Sequence, residues 1–462
     1  MAGARDREVP LGVVRAANRR ARKNYDLAHY AGSIGLAGIV VAALSVGTVT
    51  HFNDQHRWAF ALAVAALFVV RGVHLGRPIT GKHLAAGAAT IVVAMAVEFI
   101  GYNGVSLVLL AASGLVLMWP TSSAAQTESW RRVYRLVERT AEDPLAPFAM
   151  HTLKSYFFAD DHMAVISYHT RFGVAVVSGD PIGDPARFRA LAAQFQQFCR
   201  ERGWRIVVLA ASERCVGLWS EASIRPPLRA VPIGRDVVID VGTFDTSGRQ
   251  FRNLRQAVNR TRNAGLTTEV VPERELSDRI RTELLQIMAQ THGSRTERGF
   301  SMILDHPLDG CYPGVLIVLA RDAEGVVQGF QRYAVAGYGT EITLDVPWRR
   351  EDAPNGVDER LSVAMVDYAR EHGGKRVSLA FAAFPELFDE ENRGWLHRIF
   401  FSVIHLGDPL LSLESLYRYL EKYHALGERR FVLLNFRMLP IAAFVLLTLE
   451  FVPRRRSRRQ IG

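Results

Sequence analysis

The stretch DYAREHGGKRVSL, residues 367–379, lines up with QFCRERGWRIVVL, residues 197–209, at an offset of 170 positions. Arg200, Glu201, Gly203, Val207 and Leu209 recur as Arg370, Glu371, Gly373, Val377 and Leu379. Each copy reads as the end of an amphipathic helix, a glycine stop and an apolar strand, since glycine enters the left-handed conformation that ends a helix at little cost. The agreement extends upstream. MAVISYH (163–169) and GVAVVSGDPIGDP (173–185) precede the first copy as two strands ending in a polar turn. VLIVLARDAEGVVQGFQRYAVAGYGTEITLDVPWRREDAPNG (315–356) precedes the second and does the same at greater length. The unit strand, strand, charged Gly/Pro turn, helix, strand thus occurs twice, which predicts a tandem α/β (α+β) domain with mixed sheets.

That domain is preceded by a different kind of sequence. The chain has 462 residues and is 49% hydrophobic, and most of the apolar excess falls before Pro120. Four apolar stretches stand out there, Ala28–Phe52, Trp58–Val73, Leu84–Ile100 and Gly104–Trp119. They predict a helical membrane region of about four spans, some of them shorter than the roughly 20 residues that cross a bilayer without strain. Glu98 sits inside the third stretch, either in a polar pathway or near enough to a helix end to reach the interface.

Basic residues set the expected orientation. Arg15, Arg19, Arg20, Arg22 and Lys23 precede the first stretch, Arg71, Arg77 and Lys82 lie between the second and third, and Arg131, Arg132 and Arg135 follow the fourth. The other two connections hold only Arg57, so the positive-inside rule places the N-terminus and the soluble domain in the cytoplasm of a multi-pass protein of the cell membrane. A cleaved leader is not expected, because a long charged segment precedes the first span. The expected organisation is a basic N-terminus (1–27), membrane helices (28–120), a linker helix (121–145), a first unit (146–250), a second unit (251–431), and an apolar interfacial helix with a basic tail (432–462). The final segment is read as interfacial because a crossing would carry PRRRSRR outside, against the same rule.

The net charge of +10 favours anionic partners, a lipid surface or nucleic acid. Cys199, Cys215 and Cys311 are far apart and match no metal spacing, which argues against a disulfide framework or a zinc site.

Four motifs carry a family resemblance across residues 146–431: GDPIGDP (179–185), NLRQAVNRTRNAG (253–265), LDVPWRREDAPNGVDERL (344–361) and EKYHALGERRF (421–431). In this order they resemble the C-terminal synthase domain of the multiple peptide resistance factor family, the lysylphosphatidylglycerol synthases, described as tandem GNAT folds. The order of elements in the repeat is that of the GNAT-like fold as well. The chain departs from the family's pattern in the last motif, where Ala425 and Arg429 stand in place of prolines and Gly427 in place of a tryptophan, while Lys422, Glu428 and Arg430 are kept. Asp358, Glu359 and Arg360 also stand where the family continues with apolar residues. The resemblance implies an aminoacyltransferase that moves an amino acid from its tRNA ester to a glycerol hydroxyl of phosphatidylglycerol. Aminoacyl-tRNA would be a co-substrate, and no further cofactor is implied. The implied partners are aminoacyl-tRNA, anionic phospholipid and the membrane, with a homo-oligomer left open.

The residues themselves fit such chemistry. No nucleophile motif appears, which suits direct attack by a hydroxyl on an already activated ester. Asp345, at a strand end, is the candidate ammonium partner or base, and Arg350 the candidate phosphate ligand, with Arg349 beside it. Lys422, Glu428 and Arg430 are candidates for contact with substrate through the last motif. Arg252, Arg255, Arg260 and Arg262 fall on one predicted helix and suit an RNA acceptor stem or a lipid surface. Asn355 is expected to cap the helix that follows it, Asp180 and Asp184 to form turns, and Tyr156, Phe157, Phe158 and Trp204 to be core.

Two other readings compete. An acetyl-CoA-dependent acetyltransferase would want a glycine-rich pyrophosphate loop, which APNGVDE does not supply. A catalytically silent relative that binds lipid or tRNA would tolerate the altered last motif.

Overall fold

A computed structural model describes residues 55–74, 76–220, 228–292, 303–383 and 418–450. The basic N-terminus, the first apolar stretch and the PRRRSRR tail lie outside the described residues.

Two compact units emerge, residues 1–122 with 197–205, and residues 123–196 with 206–462. In the first, helices α1 (Gln55–His74), α2 (Gly81–Phe99) and α3 (Asn103–Leu117) fall on the last three apolar stretches. Only α1 and α2, among the described residues, are long and apolar enough to cross a membrane. The 15 residues of α3 reach about 22 Å, short of a hydrocarbon core of about 30 Å. Glycines let these helices close on one another. A Cβ added at Gly114 would stand 2.2 Å from the Ala65 carbonyl oxygen, and one at Gly87 would meet Leu117 at 2.7 Å. Phe60, Leu67, Val70, Val92, Met95 and Val108 point outward and are exposed.

The second unit holds a twelve-stranded mixed sheet, counted over the described residues. Its strands are β1 (Ser155–Phe158), β2 (Ala164–Arg171), β3 (Val174–Ser178), β4 (Ile182–Gly183), β5 (Arg205–Ser212), β6 (Arg229–Asp240), β7 (Thr267–Pro272), β8 (Val315–Arg321), β9 (Val327–Ala336), β10 (Glu341–Arg349), β11 (Arg376–Ala383) and β12 (Leu426–Leu434). The order across the sheet is β1-β2-β3-β5-β12-β6-β11-β10-β9-β8-β7, with β4 against β2. The further helices of ten residues or more among the described residues are α4 (Trp130–Arg139), α5 (Phe188–Glu201), α6 (Arg252–Asn263), α7 (Asp278–His292), α8 (Val357–Glu371) and α9 (Leu439–Glu450).

The repeat is visible in this order. The β2–β3 hairpin leads through α5 to β5, which lies beside β3, and the β9–β10 hairpin leads through α8 to β11, which lies parallel beside β10. Gly203 and Gly373 stop the two helices at φ +62° and +78°. Where two strands were expected over 315–349, there are three. The units also exchange strands. By sequence β6 falls in the first unit, yet it pairs with β11 and β12, while β12, from the end of the second, pairs with β5 through Arg430↔Ser212 and Phe431↔Ala211. Each half therefore gains an edge partner from the other, and hydrogen bonding runs unbroken across the junction.

Alternation decides which side chains go where. Tyr333, Ile342, Leu344, Val237, Ile239, Val377 and Leu379 pack with Leu254 and Val258 of α6 and Leu361 and Met365 of α8. On a second core, Val165, Val176, Leu209, Val432 and Ala334 pack with Val133 and Val137 of α4 and Ala442 and Val445 of α9.

Candidate functional site

Strands β10 and β11 pair only at their starts, Glu341, Ile342 and Thr343 against Arg376, Val377 and Ser378. Beyond that β10 runs on to Arg349 along β9, with a bulge between Leu344 and Val346, and β11 runs on to Ala383 along β6. The two strands part where Asp345 sits, in the bulge.

With Tyr333, Ile342, Leu344, Val237, Val377 and Leu379 turned toward α6 and α8, the intervening residues take the other face. These are Arg332 on β9, Thr343 and Asp345 on β10, Ser378 on β11 and Asp236 on β6. Arg430 of β12 joins them through its bond to Asp236. All six are buried. A polar stripe thus crosses five adjacent strands inside the protein.

Two ion clusters organise it. In one, Arg332 donates to Asp345 Oδ2 at 2.7 Å, to Glu273 Oε2 at 3.0 Å and to the Leu304 carbonyl at 3.3 Å, and the Leu304 N–H donates to Asp345 Oδ1 at 2.8 Å. In the other, Arg430 donates to Asp236 Oδ2 at 2.7 Å, Asp143 Oδ1 at 2.9 Å and the Ala210 carbonyl at 3.2 Å, with Asp180 Oδ2 at 3.6 Å. Beside the first cluster, Asp305 accepts from the Thr152 backbone and hydroxyl and from Tyr312 Oη, with His151 at 3.8 Å and His306 at 3.7 Å. Arg332 lies over the Tyr312 ring at 5.6 Å. Lys154, also buried, donates to the Phe148 carbonyl and Ser178 Oγ, both at 2.7 Å.

Five carboxylates, Glu273, Asp345, Asp143, Asp180 and Asp236, therefore stand around two guanidiniums, with Asp305 beside His151 and His306. Against burial, His151 and the hydrogen bonds from Thr152 and Tyr312 lower Asp305. Burial pushes both Asp345 and Asp236 up to about 6, although Arg332 and Arg430 pull the other way. Asp180 is raised as well, by burial and then by Asp143. Three side-chain oxygens of this region, Glu273 Oε1, Thr343 Oγ1 and Ser212 Oγ, are buried with no hydrogen-bond partner among the described residues. Buried polar atoms are seldom left so. The arrangement can accept hydrogen bonds and positive charge from a ligand.

The other residues singled out in the sequence lie elsewhere. Arg350 donates to the Val327 carbonyl at 2.6 Å and approaches Glu283 at 3.6 Å, lining an open cleft of about 580 Å³ with Asp278, Thr282, Glu324 and Val326. It does not share partners with Asp345. Arg349 is half-exposed, 3.7 Å from Asp358. Lys422 donates to Glu359 at 2.6 Å, and Glu428 meets Arg214 at 3.4 Å on the surface. Arg430, expected to contact substrate phosphate, is instead enclosed by three aspartates and the Ala210 carbonyl. Arg255 donates to the Thr246 and Gly248 carbonyls, while Arg252, Arg260 and Arg262 are exposed on α6 without an acidic partner among the described residues.

Asn355 does not cap α8. Gly356 takes that position at φ +106°, and a Cβ there would stand 2.7 Å from the Ala257 carbonyl oxygen, so close contact with α6 excludes any larger residue. Asp184 forms its turn by accepting from the Ala186 N–H at 3.0 Å, but Asp180 belongs to the Arg430 cluster. Tyr156 is core, its hydroxyl bonded to the Ala149 carbonyl at 2.9 Å.

Glu273, Arg332, Asp143 and Asp236 were missed from the sequence. Arg332 in GFQRYAVAG and Asp236 in RDVVID each interrupt an apolar strand on an inward position, and that was the available signal. Nothing comparable marks Glu273 or Asp143, which lie in connecting segments.

Known proteins extend these observations. Residues 134–434 match the family described as phosphatidylglycerol lysyltransferase, C-terminal. The MprF-like domain protein Rv1619 of Mycobacterium tuberculosis is 51% identical over 401 residues, which cover 86% of this chain and 83% of that protein. The lysylphosphatidylglycerol biosynthesis bifunctional protein LysX of Rhodococcus jostii is 31% identical over 300 residues, 64% of this chain and 26% of that protein. The match thus spans about a quarter of the LysX protein. Among solved structures, L-PGS from Bacillus licheniformis superposes with a TM-score of 0.62 at 20% identity, covering 71% of this chain and 98% of that one. A C-terminal DUF2156 domain from Agrobacterium fabrum gives 0.60 at 23% identity, covering 72% and 100%. At these identities the two structures establish a common fold.

Proposed function

Because the chain belongs to the phosphatidylglycerol lysyltransferase C-terminal family, we propose that it is a membrane-anchored aminoacyltransferase that moves lysine or a lysine-like residue from aminoacyl-tRNA to a glycerol hydroxyl of phosphatidylglycerol or a related anionic lipid. The observation that carries this reading is the carboxylate excess in the buried stripe. A lysyl ester brings two ammonium groups, and an ammonium removed from water is stabilised only by opposite charge and hydrogen-bond acceptors. Asp345 and Asp236 offer the charge, and the unpartnered oxygens of Glu273, Thr343 and Ser212 offer the acceptors.

The chemistry needs little else. The lipid hydroxyl oxygen attacks the ester carbonyl carbon and gives up its proton. The tetrahedral intermediate then collapses, the bond to the tRNA ribose oxygen breaks, and that oxygen takes a proton. Carboxyl groups standing near 6 ionise just below neutral pH, which suits both ammonium binding and proton transfer. Arg252, Arg260 and Arg262 hold donor phosphates, Arg350 serves a further phosphate at its cleft, and Lys422 and Glu428 lie on the approach. Helices α1 and α2 anchor the chain as part of a multi-pass region in the cell membrane, with the soluble domain on the cytoplasmic side. The recurring order of strands and helices supports a tandem GNAT-like assignment for that domain.

Lipid mass spectrometry tests the reading, comparing cells that carry the gene, lack it, or express Asp345→Asn or Asp236→Asn at matched protein level. An aminoacylated lipid present only with the intact gene is expected. Unchanged lipids in the deletion would overturn the transferase, and transfer by purified protein that resists ribonuclease would overturn the tRNA donor.

A further inference from the structure

Helix α9 is apolar on every side from Leu439 to Leu449, before its terminal Glu450, yet packs into the protein on only one. Ala442, Val445 and Leu449 are buried in the core with Val432 and Leu434 of β12. On the outside, Phe436, Leu439, Phe444 and Leu447 follow at spacings of three to five residues and are 50%, 50%, 54% and 55% exposed. No charged residue occurs from Met438 to Leu449, and the Thr448 hydroxyl is turned back to the Val445 carbonyl. A helix apolar all round belongs between two apolar phases.

The patch extends beyond the helix. Phe172, at the β2–β3 turn and 39% exposed, has its ring 5.7 Å from that of Phe444. Around this surface stand cations. Arg171 lies over Phe172 at 5.5 Å, Arg229 over Phe436 at 5.4 Å, and Arg437 is exposed. The sequence continues after the helix as PRRRSRR, residues 453–459, and no Asp or Glu occurs between Phe431 and Leu449.

We propose that this surface, helix α9 with the Phe172 turn, seats the soluble domain on an anionic phospholipid bilayer, the helix lying in the plane of the interface. An apolar face rimmed by arginines matches acyl chains below a layer of phosphate headgroups. A second copy of the chain is a poorer occupant, because a two-fold contact would bring the same arginine rim against itself. A bilayer crossing fits less well, because one stripe of the helix, Ala442, Val445 and Leu449, is committed to the core along its described length.

The docking does not depend on the transferase reading, and a readout without turnover separates them. The full-length protein, reconstituted into phosphatidylglycerol/phosphatidylcholine vesicles containing brominated lipid, would carry an environment-sensitive fluorophore on Phe444→Cys or, as a water-exposed reference, on Tyr338→Cys. Quenching several-fold stronger at 444 than at 338, weakened when Arg229 and Arg437 are changed to Glu, is expected. Equal quenching at both positions would overturn the proposal, as would cross-linking of 444 to 444 between copies in place of quenching. In the transfer assay, Phe444→Glu is expected to lower modification of bilayer lipid several-fold while sparing dispersed short-chain phosphatidylglycerol. Equal loss on both would overturn the docking role.

Discussion

Asp236 on β6 and Arg430 on β12 form a 2.7 Å ion pair between residues 194 positions apart, on neighbouring strands at the junction of the two halves. Two further aspartates crowd the same guanidinium, and the arginine is the cluster's only cation among the described residues. Removing it leaves three carboxylates buried together. Arg430→Ala is expected to cost about 3–5 kcal/mol of stability, as for other broken buried pairs. Asp143→Asn, which lessens the repulsion, should cost much less. Chemical denaturation of the two variants in the same detergent checks the order, and a milder effect for Arg430→Ala would contradict it.

A pH dependence follows from the same carboxyls. Burial raises Asp236 from 3.8 to about 6, so between those values the folded protein holds a proton that the unfolded chain has released. Its contribution to stability is full below pH 4 and is lost as pH rises through 6, an effect of about 3 kcal/mol at most. The difference in unfolding free energy between wild type and Asp236→Asn, followed from pH 4 to 8, should shift in favour of the variant across this window and then level off.

Activity should move in the opposite sense. If ionised Asp345 and Asp236 hold the substrate's ammonium groups, transfer increases as pH rises through about 6. Asp345→Asn is expected to lower lipid aminoacylation by about a hundredfold or more. Arg350→Ala, whose parent side chain lies at a separate cleft, should raise KM for the donor with little change in kcat. Steady-state kinetics of both variants distinguish these effects.

Arg260 and Arg262 have no acidic partner among the described residues, so exchanging both for Glu should leave stability within about 0.5 kcal/mol. The same change should weaken RNA binding and flatten its dependence on salt, by about one unit of log–log slope per lost phosphate contact. An unchanged salt slope would remove α6 from the RNA surface.

Gly356→Ala tests the α6–α8 contact. A left-handed backbone and a Cβ 2.7 Å from the Ala257 carbonyl oxygen predict a loss of about 1–3 kcal/mol. Thermal unfolding would show it, and a neutral substitution would mean that the two helices can separate.

Local signals in the sequence carried the repeat, because glycine stops and alternating strands depend on neighbours. They placed Gly203 and Gly373 correctly and brought out Asp345, although it lies in a bulge in the middle of β10 and not at the strand end expected. They did not show that β6 and β12 change places, since pairing between distant strands leaves no local mark. For the same reason Arg430 read as a substrate contact, and Asp180 as a turn residue. The second cluster exists only once residues 143, 180, 236 and 430 have been brought together. Asn355 misled in another way. Asparagine is a favoured cap, but the closeness of Ala257 gave the position to glycine.

The late arrival of β12 bears on biosynthesis. Arg430 reaches the Ala210 carbonyl 220 residues further along the chain, so at about 5–20 residues per second the ribosome needs roughly 10–45 s to supply it. During that interval nascent β5 has an unpaired edge, and Asp180 and Asp236 lack their counterion. A message truncated shortly before codon 426 would therefore yield an aggregation-prone fragment despite encoding eleven of the twelve strands.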